Sequence, residues 1–140
     1  MPNEELEQVE VEPRIIGGDE PKPTISLNRI DALCQRLINI RITVAEAELD
    51  VADAEAKVEE TKARIVGEGY ATEAINGSNK QTREAQEAKL LADSEELAQA
   101  KLAVREAKRE LAIQQANLAG TEGRISLYRA FLYSSARMPR

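Results

Sequence analysis

The 140-residue chain has no histidine, no tryptophan, one cysteine, one phenylalanine and three tyrosines. Each shortage excludes something. Without histidine the chain lacks the commonest general base and the commonest metal-ligating side chain. A single cysteine, Cys34, allows neither an internal disulfide nor a thiolate metal cluster. It lies in "IDALCQRLINI", among apolar helix positions, a setting that predicts a small buried side chain. No histidine is present to activate it as a nucleophile. The lack of large aromatic bulk argues against a globular enzyme core and suits long, alanine-rich helices packed side by side. No run of about 18 apolar residues occurs, so no membrane span is expected. The opening segment "MPNEELEQVEVEPRIIGGDE" is acidic and has no apolar centre. It is expected to be neither a secretory signal nor a mitochondrial presequence, which makes the cytoplasm the expected location. Adjacent carboxylates such as Glu95 and Glu96 would point about 100° apart on a helix, unable to share a substrate. No catalytic, cofactor-binding or metal-binding residue is assigned, and no enzymatic activity is expected.

What is present reads as an all-α chain: a long antiparallel two-helix coiled-coil hairpin behind an extended acidic tail. Residues 1–24 form the tail, with prolines at 2, 13, 21 and 23. Within residues 1–22, seven acidic groups face only Arg14 and Lys22, giving −5 of the total charge of −6. Such a segment buries too little to order itself alone, although "VEPRIIGG" is apolar enough to dock. Residues 25–137 form the hairpin. Helix one is predicted over about 25–66, starting from Thr24 or Ser26 as N-cap. Ile30, Leu33, Leu37, Ile40, Val44, Ala47, Val51, Ala54 and Val58 recur at alternating steps of three and four, the spacing of a coiled-coil seam. Helix two is predicted over about 80–134 from a seven-residue repeat: Leu90, Leu97, Val104, Leu111, Leu118, Ile125 and Leu132. Its companion positions hold Ala100 and Ala107 but also Asp93, Gln114 and Thr121. Gly120 and Gly123 interrupt it, each costing about 1 kcal/mol against alanine. The repeat keeps phase across them, favouring one helix with a weak point over two separate helices.

Between the helices, residues 67–79 bring Gly67, Gly69 and Gly77 together with Asn76, Ser78 and Asn79. A phosphate-binding loop would need a preceding strand and the G-x-x-x-x-G-K-[ST] spacing, and neither is there. A bend accounts for the residues better. Gly77 can take the positive φ that closes a short turn. Ser78 or Asn79 can cap the next helix, and Ser78 with Gln81 fits a capping box.

The string "NGSNKQTREAQEAKLLADSEELAQAKLAVREAKRELAIQQANLAGTEGRISLYRAFL" resembles uncharacterised small α-helical hairpin proteins of tailed bacteriophages. The shared pattern is a Gly-x-Asn turn, then an arginine, then a long alanine- and glutamate-rich helix; Gly77, Asn79 and Arg83 match it. The likeness covers roughly residues 60–133 and excludes the tail. It implies a phage-encoded accessory protein found near recombination or replication genes, without a defined activity. If Arg83 shares the group's turn role, it would bond carbonyls or a carboxylate there; otherwise it is a solvated arginine on the first helical turn.

Charge is uneven. Residues 42–68 carry eight acidic groups against Lys57, Lys62 and Arg64, while residues 98–140 carry eight basic groups against Glu106, Glu110 and Glu122. A bend centred near residue 73 would set Ile30 opposite Gln115. The open end would then be basic, built from Arg36, Arg41, Arg105, Lys108, Arg109, Arg124 and Arg129. It would also leave 118–137 without a partner in helix one. That segment holds Leu118, Ile125, Tyr128, Phe131 and Leu132, an apolar stripe that needs cover. Either the tail folds back over it, or a second chain, identical or foreign, packs there; the latter is favoured because the tail has few large side chains. Three functions fit. The first is protein–protein interaction, as an accessory factor in the infected cell or as a virion or assembly component. The second is single-stranded nucleic-acid binding, with cations along phosphates and Tyr128, Phe131 and Tyr133 stacking on bases. The third is inhibition of a host enzyme through acidic mimicry. The first is favoured, nucleic acid is not, and no membrane role or cofactor is expected.

Overall fold

The computed structural model describes residues 27–137, all of whose regular structure is helical. Both the tail and the Thr24 or Ser26 cap lie outside the described residues. Helix α1 spans Leu27–Ala71, α2 Lys80–Asp93 and α3 Glu95–Arg137. At about 1.5 Å per residue, α1 and α3 are rods of roughly 65 Å.

The packing is consistent with a hairpin. Arg41 pairs with Glu122 at 3.6 Å, Glu55 with Lys108 at 3.2 Å, and Arg64 with Glu96. Going up α1, the partners go down α3, so the chain doubles back. The seam read from the spacing is the packed one. Along α1, the nine positions from Ile30 to Val58 are all buried or half-buried. Along α3 the same holds for Leu97, Ala100, Val104, Ala107, Leu111, Gln114, Leu118, Thr121, Ile125 and Tyr128. Leu97, at 1% exposure, sits deepest, with Val58 and Ala100 beside it. Alanine at 47 and 100 lets the backbones approach, while Val58 and Leu97 fill the space between them. Thr61 and Thr121 are also buried, yet among the described residues no buried side-chain nitrogen or oxygen lacks a hydrogen-bond partner.

Helix α3 runs unbroken through Gly120 and Gly123, as the phase of the repeat implied. The expected single helix from 80 to 134 is instead two. Ser94 breaks it, with extended backbone (φ −76°, ψ 114°). Its N–H donates to Leu91 O at 3.4 Å, closing α2, and its Oγ accepts from Leu97 N–H at 3.2 Å, opening α3. Glu95 and Glu96 occupy the first turn of α3, where carboxylates favour the helix dipole.

Helix one also runs further than expected, to Ala71, through Gly67 and Gly69. The reason is local packing. Gly69 is buried, and a Cβ there would stand 2.7 Å from Leu90 Cδ1 and 2.8 Å from Ile75 Cδ1. The glycine thus admits α2 and the returning chain against α1 rather than ending the helix. Glu73, in the left-handed region at φ 62°, turns the chain, and the Ile75 N–H comes back to Gly69 O at 3.0 Å.

Candidate functional site

Two regions carry the residues singled out in the sequence: the bend and the open end. At the bend the cap is Asn79, not Ser78. Its Oδ1 accepts from Thr82 N–H and Thr82 Oγ1, each at 2.8 Å. Gly77 does not have a positive φ. It is required by crowding, since a Cβ would lie 2.7 Å from Thr82 Cβ and 3.0 Å from the Arg83 backbone nitrogen. The clamp that Arg83 would make if it shared the turn role implied by the resemblance is made by Gln86. Gln86 Oε1 accepts from the N–H groups of Asn76 and Gly77, both at 3.0 Å, and its Nε2 donates to Asn76 Oδ1 at 3.0 Å. Arg83 joins the turn through its backbone, donating to Asn79 O at 3.2 Å. A side-chain amide is a neutral group that can accept from two backbone N–H groups through its oxygen and donate to a third partner through its nitrogen, so Gln86 satisfies three groups of a turn at once. The sequence carried no spacing signal for this, since Gln86 sits about two helical turns beyond Asn79.

The bend is tied to α1 by a second contact. Tyr70 Oη donates to Glu87 Oε1 at 2.7 Å. This bond, to a carboxylate, raises the Tyr70 phenol above its ordinary value, with desolvation and the Glu87 charge adding and Arg83 opposing. Nearly two turns earlier, the Arg64 guanidinium is held by Glu96 across the seam and Glu68 along its own helix, and both bonds raise its already high pKa.

At the open end the register changes the expected picture. Residues 41 with 122 and 55 with 108 both total 163, and 64 with 96 totals 160. The hairpin is therefore centred near residue 81, not 73, because α1 continues to Ala71 and α2 extends the first arm of the return. Gln115 is not level with Ile30. Arg29 instead lies 5.8 Å from the Tyr128 ring centre, a cation over an aromatic face. Leu118, Ile125 and Tyr128, expected to lack a partner in helix one, are half-buried in the seam. Phe131 and Leu132 do remain exposed, with Leu127 and Tyr133.

The same shift divides the expected basic end. Arg105, Lys108 and Arg109 lie level with the acidic middle of α1, not with its basic start. Lys108 pairs with Glu55, and Lys101 shares with Glu55 and Glu59 an open depression of about 400 Å³ floored by Val58 and Val104. Arg36, Arg41, Arg124 and Arg129 stay at the open end, with Arg41 paired to Glu122. Cys34, expected to be buried, is exposed. It follows the seam residue Leu33, and one residue further round a helix is about 100° away from the seam. Among the described residues no helix is long and apolar enough to cross a membrane, and no three acidic or cysteine side chains gather as a metal would require. Comparison with protein-family models, curated proteins and solved structures gave no match.

Proposed function

We propose that the chain is an antiparallel two-helix coiled coil that works by protein–protein interaction and not by catalysis. Following its resemblance to phage hairpin proteins, we place it as an accessory factor of the infected cell or as a virion or assembly component. The observation carrying this reading is the exposed cluster at the open end. Leu127, Phe131, Leu132 and Tyr133 are 57%, 43%, 45% and 69% exposed on the last turns of α3. Large apolar side chains grouped on one end of a helix lose free energy to water unless another surface covers them. Aromatic side chains at such a site make the strongest anchors in protein interfaces.

The test compares proteins captured by the full chain with those captured by a Phe131→Glu/Tyr133→Glu variant in the cells that produce it. A partner retained by the first and lost by the second, at equal helicity, supports the reading. Identical capture by both overturns it. Presence of the chain in purified particles then separates virion component from intracellular factor.

A further inference from the structure

The helices carry a second set of apolar positions that the seam does not use. On α1, Ile38, Ile42, Ala45, Leu49, Ala52 and Ala56 are all exposed and repeat at steps of four and three. They lie roughly 150° round the helix from the seam, on the side turned away from α3. On α3, Leu102 and Ile113 are exposed, and from Ile113 the steps of three and four continue through Ala116, Gly120 and Gly123 to Leu127. This stripe also faces away from the seam. The two glycines have nothing within 4 Å of a notional Cβ. Inside the hairpin no contact explains them, and a glycine in a helix is disfavoured unless another backbone or side chain comes close.

We propose that these two outward faces bind each other between copies of this chain, α1 of one copy against α3 of the next. The occupant is a second copy because the two faces are complementary, and each is unlike itself. Glu46, Asp53 and Glu60, seven residues apart, form an acidic row bordering the α1 stripe, whereas Arg105 and Arg109 lie on the outward side of α3. An α1 face meeting another α1 face would set carboxylate against carboxylate.

Shape agrees with charge. Within one hairpin, level residues total between 160 and 163. A copy moved sideways without slipping along the axis keeps that register at the new contact. Ile42 then meets Gly120, Leu49 meets Ile113, and Asp53 meets Arg109, each pair totalling 162. The bulky end of the α1 stripe falls on the glycine end of the α3 stripe. Since the two faces differ, each copy leaves one face free, and copies add in a row that closes as a ring or continues as a filament. This surface shares only Leu127 with the open-end cluster and makes no use of Phe131, Leu132 or Tyr133.

The experiment is sedimentation velocity of the full chain over rising micromolar concentration, with Leu49→Glu for the α1 face and Ile113→Glu for the α3 face. Both side chains are exposed, so circular dichroism is expected to report unchanged helicity. The unmodified chain should form species beyond a dimer, weakened by added salt. Each variant alone should sediment as a monomer. Mixed together, the two should recover a one-to-one dimer and nothing larger, because one intact α1 face and one intact α3 face remain. Gly120→Leu should also abolish assembly while leaving the single hairpin folded. A monomeric unmodified chain overturns the proposal. So does an Ile113→Glu variant that still self-associates, since that is the behaviour of an α1–α1 contact. Phe131→Glu/Tyr133→Glu should leave this assembly intact, so failure here and failure of the open-end reading are told apart.

Discussion

Gly77 lies so close to Thr82 that an added Cβ would stand 2.7 Å from the Thr82 Cβ and equally near its Cγ2. The Arg83 backbone nitrogen, 3.0 Å away, cannot swing aside as a side-chain tip could. We predict that Gly77→Ala destabilises the chain by about 1–3 kcal/mol, the usual range for overpacking. Gly77→Asn should be as costly or worse, although asparagine tolerates positive φ better than most residues. Urea denaturation of both variants decides. Rescue by asparagine would show that backbone conformation, not crowding, selects glycine here.

Glu73 is the residue that turns left-handed, at φ 62°. That conformation costs a side-chain-bearing residue roughly 1–2 kcal/mol. Glu73→Gly removes the cost but adds freedom to the unfolded chain, so the expected net gain is about 0.5–1 kcal/mol. A lower denaturation midpoint for this variant would contradict the assignment.

Gln86 bonds Asn76 twice and Gly77 once. Gln86→Ala should lower stability by about 1–3 kcal/mol, because two backbone donors lose their acceptor. Gln86→Glu keeps the acceptor and loses only the bond to Asn76 Oδ1, so it should cost less. Hydrogen exchange at the Asn76 and Gly77 amides separates the two: fast in the alanine variant, protected in the glutamate one.

Tyr70 gives the bend a pH dependence of known sign. Its folded-state pKa is raised, chiefly by the hydrogen bond to Glu87. The folded chain therefore favours the protonated phenol. That stability is fully present below the unfolded value, near 10, and is lost as pH rises through the higher folded value. Melting temperature followed into alkali should fall more steeply for the native chain than for Tyr70→Phe. Parallel curves would show that the Tyr70–Glu87 bond does not contribute.

The seam was legible because it rests on repeated spacing. Each seam position from Ile30 to Val58, and each heptad leucine, valine or isoleucine from Leu97 to Ile125, is buried or half-buried. The register was not legible, because it depends on single packing events. Gly67 and Gly69 read as a helix end, yet Gly69 is there to admit Leu90 and Ile75, so α1 runs on to Ala71. That extension, with α2, moved the centre of the hairpin by about eight residues. It gave Leu118, Ile125 and Tyr128 a partner and set Lys108 against Glu55. The break at Ser94 had a visible signature, a serine before two glutamates, but the intact phase from Leu90 to Leu97 hid it. Gln86 has no spacing signal at all, since its three bonds exist only once the turn is made.

The burial of Leu97 beside Val58, close to the bend, also sets an order of assembly. Closing the chain at Arg64 and Glu96 joins residues 32 apart, whereas closing it at Arg41 and Glu122 joins residues 81 apart. Loop-closure entropy favours the shorter connection by about 0.8 kcal/mol. Near the bend the smaller entropy loss coincides with the deepest burial, so folding is expected to start there and zip outward. Unzipping runs the other way. The rod is then expected to open first at Tyr128 and Phe131, and the last segment to lock into place is the one that carries the exposed aromatic side chains.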